Sequence, residues 1–387
     1  MGASAQHDDR HLSLALSGMW MLAVAMGIGR FAFTPLLPMM EQDAGLSLSL
    51  GGWLGASNYV GYLLGALTAI RLRASPLRML MGSLAGIALV TAAMGFTHGI
   101  ALWLLLRCLA GVGSAWVLVF ASAWMLPQLG GRAATLGGVL FSGVGLGIVL
   151  AGLMCMGFLL AGWSSASGWQ ALALAALVLT LFALPALRAR PPLAVRRHGV
   201  QAPRLSGEML QLMLSYAVFG FGYIIPATFL PSMAKKLLPD PALFGWAWPV
   251  FGLAASLATL AAGWLLTRAT NRTVWGVSHL VLGGGLLFPI LLPDLGGILL
   301  GALCVGGTFM MITSAGIQEA RRLSPHDPAA LVAKFTVAFA IGQILGPVCV
   351  SLLPQGPRTL DTLLWISAAL LVASGLNLLR IRRGRMG

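Results

Sequence analysis

Twelve runs of about 20 mostly apolar residues follow one another along the chain, each long enough to cross a bilayer as a helix. They lie near 12–37, 51–70, 77–96, 99–121, 133–160, 168–187, 208–231, 243–267, 273–292, 296–317, 329–353 and 359–379. Few folds are open to such a chain. In hydrocarbon the backbone must satisfy its own polar groups, which leaves helices or a closed barrel. Barrel strands would alternate polar and apolar residues over about ten positions, and these runs do not. Only 9% of residues are charged, against roughly a quarter in soluble domains. The expected fold class is therefore all-α integral membrane, with twelve transmembrane helices.

The net charge of +14 raises the question of a nucleic-acid partner, and its distribution answers it. With the N-terminus placed in the cytoplasm, 19 basic residues fall in tails and loops on that side. Three, Lys235, Lys236 and Arg358, fall on the other, and Arg30 and Arg107 lie inside helices. By the positive-inside rule both termini are cytoplasmic. The basicity reports topology, and no nucleic-acid partner is expected. The first run is full length and lacks a small-residue cleavage site, so it reads as a retained span. Cys108, Cys155, Cys304 and Cys349 all fall within predicted spans without a Cys-x-x-Cys, which suits buried thiols better than a metal or disulfide site. No cofactor or metal is expected.

One stretch organises the rest: Met26-Gly27-Ile28-Gly29-Arg30-Phe31-Ala32-Phe33-Thr34-Pro35-Leu36-Leu37-Pro38-Met39-Met40. It sets an arginine deep in the first apolar run, between a Gly-x-Gly and two prolines expected to end the helix. An offset of 193 pairs Gly27 with Gly220, Gly29 with Gly222, Pro38 with Pro231 and Met40 with Met233, and continues from Gly52-Trp53 to Gly245-Trp246. Arg30 thus stands where its twin carries Tyr223. Farther on, Gly143/Gly147 of the fifth run match Gly342/Gly346 of the eleventh, the latter followed by Pro347. The division expected is an N-terminal six-helix half (1–187), a basic, Pro-containing cytoplasmic linker (188–207) and a C-terminal six-helix half (208–387). Six plus six helices in parallel orientation is the plan of two-lobed secondary transporters.

These two halves, the basic turn after the second run and Arg107-x-x-x-Gly111-x-Gly113-x-Ala115 resemble the major facilitator superfamily. The opening stretch and Phe339–Pro347 resemble, more narrowly, its YbfB/YjiJ branch. The resemblance spans essentially the whole chain. It departs from the superfamily where the turn Ile70-Arg71-Leu72-Arg73 carries no Asp, and where Gly147 is followed by Ile148 rather than the Pro of the antiporter motif. The resemblance implies that spans 1, 4, 7 and 10 line a central cavity; the glycines, small enough to let helices approach closely, and Pro347 are expected to serve helix packing or gating.

Arg30 and Arg107 each lie about 12–13 Å in from the outer end of their spans, so they share a depth. An intramembrane arginine either feeds a functional site or hydrogen-bonds carbonyls freed by nearby glycines. All ten acids fall in tails, loops or span ends. A cavity with two fixed positive charges and no carboxylate favours an anionic group on the substrate, held by forked hydrogen bonds. Tyr223, Asn58 and Gln343 are the further substrate-binding candidates, each also readable as helix packing. His279, in a peripheral span, and Tyr216 read better as packing.

The expectation is a secondary transporter of a small solute, an organic anion, working by alternating access as a monomer in the bacterial inner membrane. Efflux of hydrophobic drugs or neutral sugars, with structural arginines, is the alternative, and coupling to an ion is open. An enzyme is disfavoured because no Ser/His/Asp, His-cluster or paired-carboxylate set can be assembled from the buried residues. A receptor would need a sensor domain of useful size, and ATP drive a Gly-x-x-x-x-Gly-Lys-Ser/Thr loop. Topology is directly testable. Single cysteines at Ser206 and Lys235 of a Cys-free variant should label from opposite sides with an impermeant thiol reagent, and same-side labelling would sink the twelve-span plan.

Overall fold

The computed structural model describes residues 2–69, 71–72, 75–187, 206–324, 328–354, 356 and 358–383. The linker, except Ser206 and Gly207, lies outside them, as do Arg73 and Asp327. In the first half, α1 (Gly2–Leu22), a π-helical segment (Ala23–Ile28) and α2 (Phe33–Asp43) form one broken span. It is followed by α3 (Leu48–Ala69), α4 (Pro76–Phe96), α5 (Ile100–Met125), α6 (Ala133–Leu160) and α7 (Ser165–Leu187). The second half holds α8 (Gly207–Leu237), a single turn α9 (Pro241–Phe244), α10 (Ala247–Arg268), α11 (Asn271–Leu291), α12 (Leu295–Leu323), α13 (Pro328–Leu352) and α14 (Thr359–Arg383).

Among the described residues, 11 helical stretches are long and apolar enough to cross a membrane. The twelfth span is α3, which has the length, at 22 residues, but carries Asn58, Tyr59, Tyr62 and several glycines. Those polar residues are buried inside the bundle, so α3 does not need an apolar surface all round. Outward-facing positions elsewhere show the opposite pattern. Leu89, Leu174, Leu181, Trp264 and Leu352 are more than half exposed, a surface suited to lipid and not to water.

The first span does not end at its prolines, as expected; it runs on to Asp43. Pro35 falls in the first turn of α2, where an N–H has no partner within the helix and its loss costs nothing. Pro38 is accommodated inside the helix. In the same way α8 passes through Pro226 and Pro231 to Leu237.

Glycine sets how closely the helices approach. A Cβ on Gly143 or Gly147 would run into the carbonyls of Met19 and Ala23, and one on Gly27 into the backbone of Gly147. This is the contact of α6 with the first span. Its repeat is α13 on α8, where a Cβ on Gly342 would strike the Ala217 carbonyl and one on Gly346 the Ile224 side chain. Gly111 packs on the Asn58 carbonyl, Gly113 on Ile87 and Gly29 beside Ser114 Oγ. Small residues that let backbones touch are a common basis of helix association in lipid.

The two halves meet at equivalent positions. Thr34 Oγ1 donates to the Ala227 carbonyl (2.6 Å), and Lys235 Nζ to Gln42 Oε1 (3.3 Å); each pair is separated by 193 residues, the repeat offset. A pseudo-two-fold axis therefore passes between α2 and α8. Lys235 Nζ also donates to the Pro38 carbonyl (2.8 Å), and Ser49 and Ser351 exchange hydroxyl-to-carbonyl bonds (2.9 and 2.8 Å). At the opposite, basic end of the bundle, Arg272 pairs with Glu208 and with Glu319 (2.6 Å), and Arg322 with Glu319 (2.7 Å), tying α8, α11 and α12 together. Toward that end α1 packs on α5, α6 and α7 of its own half, whereas α2 packs on α8.

Candidate functional site

The site starts from the break in the first span. Gly29 N–H reaches the Val24 carbonyl (2.9 Å) and Phe31 N–H the Met26 carbonyl (3.0 Å), one residue longer than an α-helical step. Such π turns cluster at functional positions. At the junction with α2 the Thr34 N–H turns to the Phe31 carbonyl (3.1 Å), and Pro35 has no N–H to give. The carbonyls of Ala25, Gly29 and Arg30 take side-chain donors. Ser114 Oγ donates to Ala25 O (2.6 Å), Arg107 Nη1 to Gly29 O (3.3 Å) and Arg107 Nη2 to Arg30 O (2.9 Å). Asn58 Nδ2 donates to Gly29 O (3.4 Å) and to Arg107 O (2.9 Å).

Arg107 and Asn58 are thus engaged with the backbone that carries Arg30. The Arg107 guanidinium lies 5.0 Å from the Phe33 ring centre, and the residue is buried. Losing these bonds would be costly, because the Arg30 carbonyl would be left unpaired in the interior, at about 1–3 kcal/mol, while Gly29 O keeps Asn58.

The Arg30 side chain turns the other way, across the interface. Its Nη2 donates to Gln343 Oε1 on α13 (2.7 Å), and Gln343 Nε2 donates to the Tyr223 hydroxyl on α8 (2.5 Å). The Arg30 guanidinium carbon sits 4.0 Å from the Tyr62 ring centre and 5.2 Å from that of Tyr59, within cation–π range. Arg30 is 2% exposed and Gln343 0%, and Arg30 Nε has no hydrogen-bond partner. Among the described residues no carboxylate pairs with either arginine; Arg272 and Arg322 make their ion pairs at the basic end.

The structure brings Arg30, Gln343 and Tyr223 into one chain of hydrogen bonds, and places Arg107 and Asn58 directly beneath it. Tyr59, Tyr62 and Thr228 join them, the Tyr59 hydroxyl lying 2.9 Å from Thr228 Oγ1. Sequence reasoning did not assign these three to the site. The spacing of Asn58 and Tyr62, one helical turn apart on α3, was the available signal. His279 accepts from Trp275 Nε1 (2.8 Å), and Tyr216 packs on Trp275, Phe335 and Phe339, reaching this chain through the Phe339 ring.

The two arginines should separate in a stability measurement. Arg107→Gln is expected to lower unfolding stability by about 1–3 kcal/mol, since the buried Arg30 carbonyl loses its donor while that of Gly29 keeps Asn58. Arg30→Gln removes a buried charge that has no counter-ion and should leave stability unchanged or raise it. Thermal unfolding of both variants in one detergent checks this, and the reverse ranking contradicts the division of roles.

Comparison with known proteins gives a consistent result. Residues 22–379 match the family described as "Uncharacterised MFS-type transporter YbfB". An uncharacterised MFS-type transporter of Bacillus subtilis, YceJ, is 24% identical over 388 residues, covering 93% of this chain and 95% of the relative. The fold is similar to the crystal structure of a point mutant of the nucleoside transporter NupG, with a TM-score of 0.74 over 95% of this chain and 99% of that one, at 16% identity. Identity that low carries the fold alone. The broken first span, the two interlocked six-helix halves and the match over nearly all of its length establish that this chain belongs to the YbfB family of major facilitator superfamily transporters.

Proposed function

We propose that the solute carried is a small organic anion and that Arg30 binds its negative group. One observation carries this reading: Arg30 is a buried cation held across the interface by the neutral amide of Gln343, with its Nε unused. An amide answers a guanidinium with one oxygen, whereas a carboxylate answers with two and with a full charge. A carboxylate arriving at Arg30 takes over the place of Gln343, and Gln343 and Tyr223 are released. A bond between halves is exchanged for a bond to ligand. That difference in contacts is what allows a ligand to shift one conformation toward another.

Arg107 and Asn58 act as positioning residues, holding the irregular backbone that aims Arg30. In the bacterial inner membrane the basic end is cytoplasmic, with both termini. The conformation described here is then closed on the outer side by Lys235, Thr34 and the Ser49–Ser351 pair. The site lies between halves of one chain, so a monomer suffices. Carriage of a hydrophobic drug or neutral sugar would leave Arg30 only its structural bond to Gln343 between the halves.

A thermal-shift screen against organic acids, sugars and cationic drugs supplies a ligand, because binding to the native state raises apparent stability. Affinity for it should then fall in the order wild type, Arg30→Lys, Arg30→Gln. The Lys variant keeps the charge and loses the fork. The Gln variant, losing charge-assisted bonds, should bind about tenfold weaker or worse. Equal binding by Arg30→Gln, or strongest binding of a neutral or cationic compound, refutes the anion site.

A further inference from the structure

The polar chain ends on a set of aromatic rings. The Tyr223 ring is nearly parallel to Phe309 of α12, at 4° and 5.5 Å between centres, and to Phe339 of α13, at 9° and 5.7 Å. Beyond Phe309 the series continues through Phe251 (25°, 5.6 Å) to Trp248 (20°, 4.7 Å), both on α10. Four helices of the second half, α8, α10, α12 and α13, thus stack rings face to face, while the first half presents the guanidinium. Filling a core needs only volume, which Leu and Ile supply; near-parallel planes on four helices favour a flat partner. Offset rings with centres about 4.5–7 Å apart gain from their quadrupoles beyond the area they bury.

The charge and the rings meet at one point. Phe339 is one helical turn before Gln343, and Gln343 donates to the Tyr223 hydroxyl. A ligand that takes Arg30 from Gln343 therefore has its body against Tyr223 and Phe339. At the far end of the series Trp248 is buried, with its Nε1–H lacking a partner, and its ring lies edge-on to Phe31, the residue after Arg30.

We infer that the anion bound at Arg30 is an aromatic carboxylate whose ring packs on the Tyr223–Phe309–Phe339 series. This rests on the anion reading above and narrows it. The carboxylate takes the place of Gln343 at Arg30, and the ring then lies beside Tyr223 and Phe339.

The test compares three probes of similar size by calorimetry on the detergent-purified full chain: benzoate, cyclohexanecarboxylate and benzyl alcohol. Benzoate should bind about fivefold or more tighter than cyclohexanecarboxylate. The preference should shrink toward one in Phe309→Leu and, as a second variant, in Phe339→Leu, each keeping apolar bulk without a ring face. Equal affinity for the two acids in wild type overturns the aromatic inference and leaves the anion site standing. Benzyl alcohol binding as well as benzoate overturns the anion site and leaves the ring contact. Failure of all three to bind at millimolar concentration overturns both for this class of ligand, as does a preference that survives in both Leu variants for the ring series.

Discussion

A guanidinium at the middle of the bundle, with no carboxylate to meet it among the described residues, is the constraint around which the structure is arranged. Arg30 cannot be neutralised by losing its proton, so its charge must be met by dipoles, rings or a ligand. The protein meets it with the Gln343 oxygen and the faces of Tyr62 and Tyr59. These groups come from both halves. The arginine is therefore not a property of one half but a joint between them, and anything that competes for it acts on how the halves sit.

Holding such a group in place requires an irregular backbone, and that backbone has its own needs. The π-helical turn and Pro35 leave carbonyls at Ala25, Gly29 and Arg30 facing the interior, and Ser114, Asn58 and Arg107 answer them. Irregular backbone at membrane depth is tolerated where protein supplies the missing bonds. Gly27 and Gly29 permit the close approach of α6 and α5 at this turn, and Gly111 brings α3 near enough for Asn58 to reach it. Two buried arginines of similar depth thus play different parts: one holds backbone, the other reaches across to the second half.

Much of this was legible in the sequence. Apolar run length yields the spans, and the 193-residue offset locates the axis so closely that Thr34 bonds to the residue of its own repeat partner, Ala227. The glycine pairs Gly143/Gly147 and Gly342/Gly346 correspond to equivalent helix contacts. What could not be read was direction. A helical position says how deep a side chain lies, not which way it turns, so Arg30 and Arg107 looked alike. The prolines misled for a related reason: a missing N–H stops a helix only where that N–H was needed, and at Pro35 it was not. Tyr59, Tyr62 and the aromatic series depend on long-range pairing of α3, α8, α12 and α13, which no local pattern encodes.

The central claim is that an anion moves the halves by taking Arg30 from Gln343. Its most direct test is a pair of spin-label distances, one at each end of the bundle. Ala44 with Lys236 and Arg132 with Thr267 are exposed positions on opposite halves. Adding saturating benzoate should shift both distance distributions of the wild-type chain in liposomes, in opposite senses, and leave those of Arg30→Gln unmoved. A shift of equal size in Arg30→Gln would contradict the account.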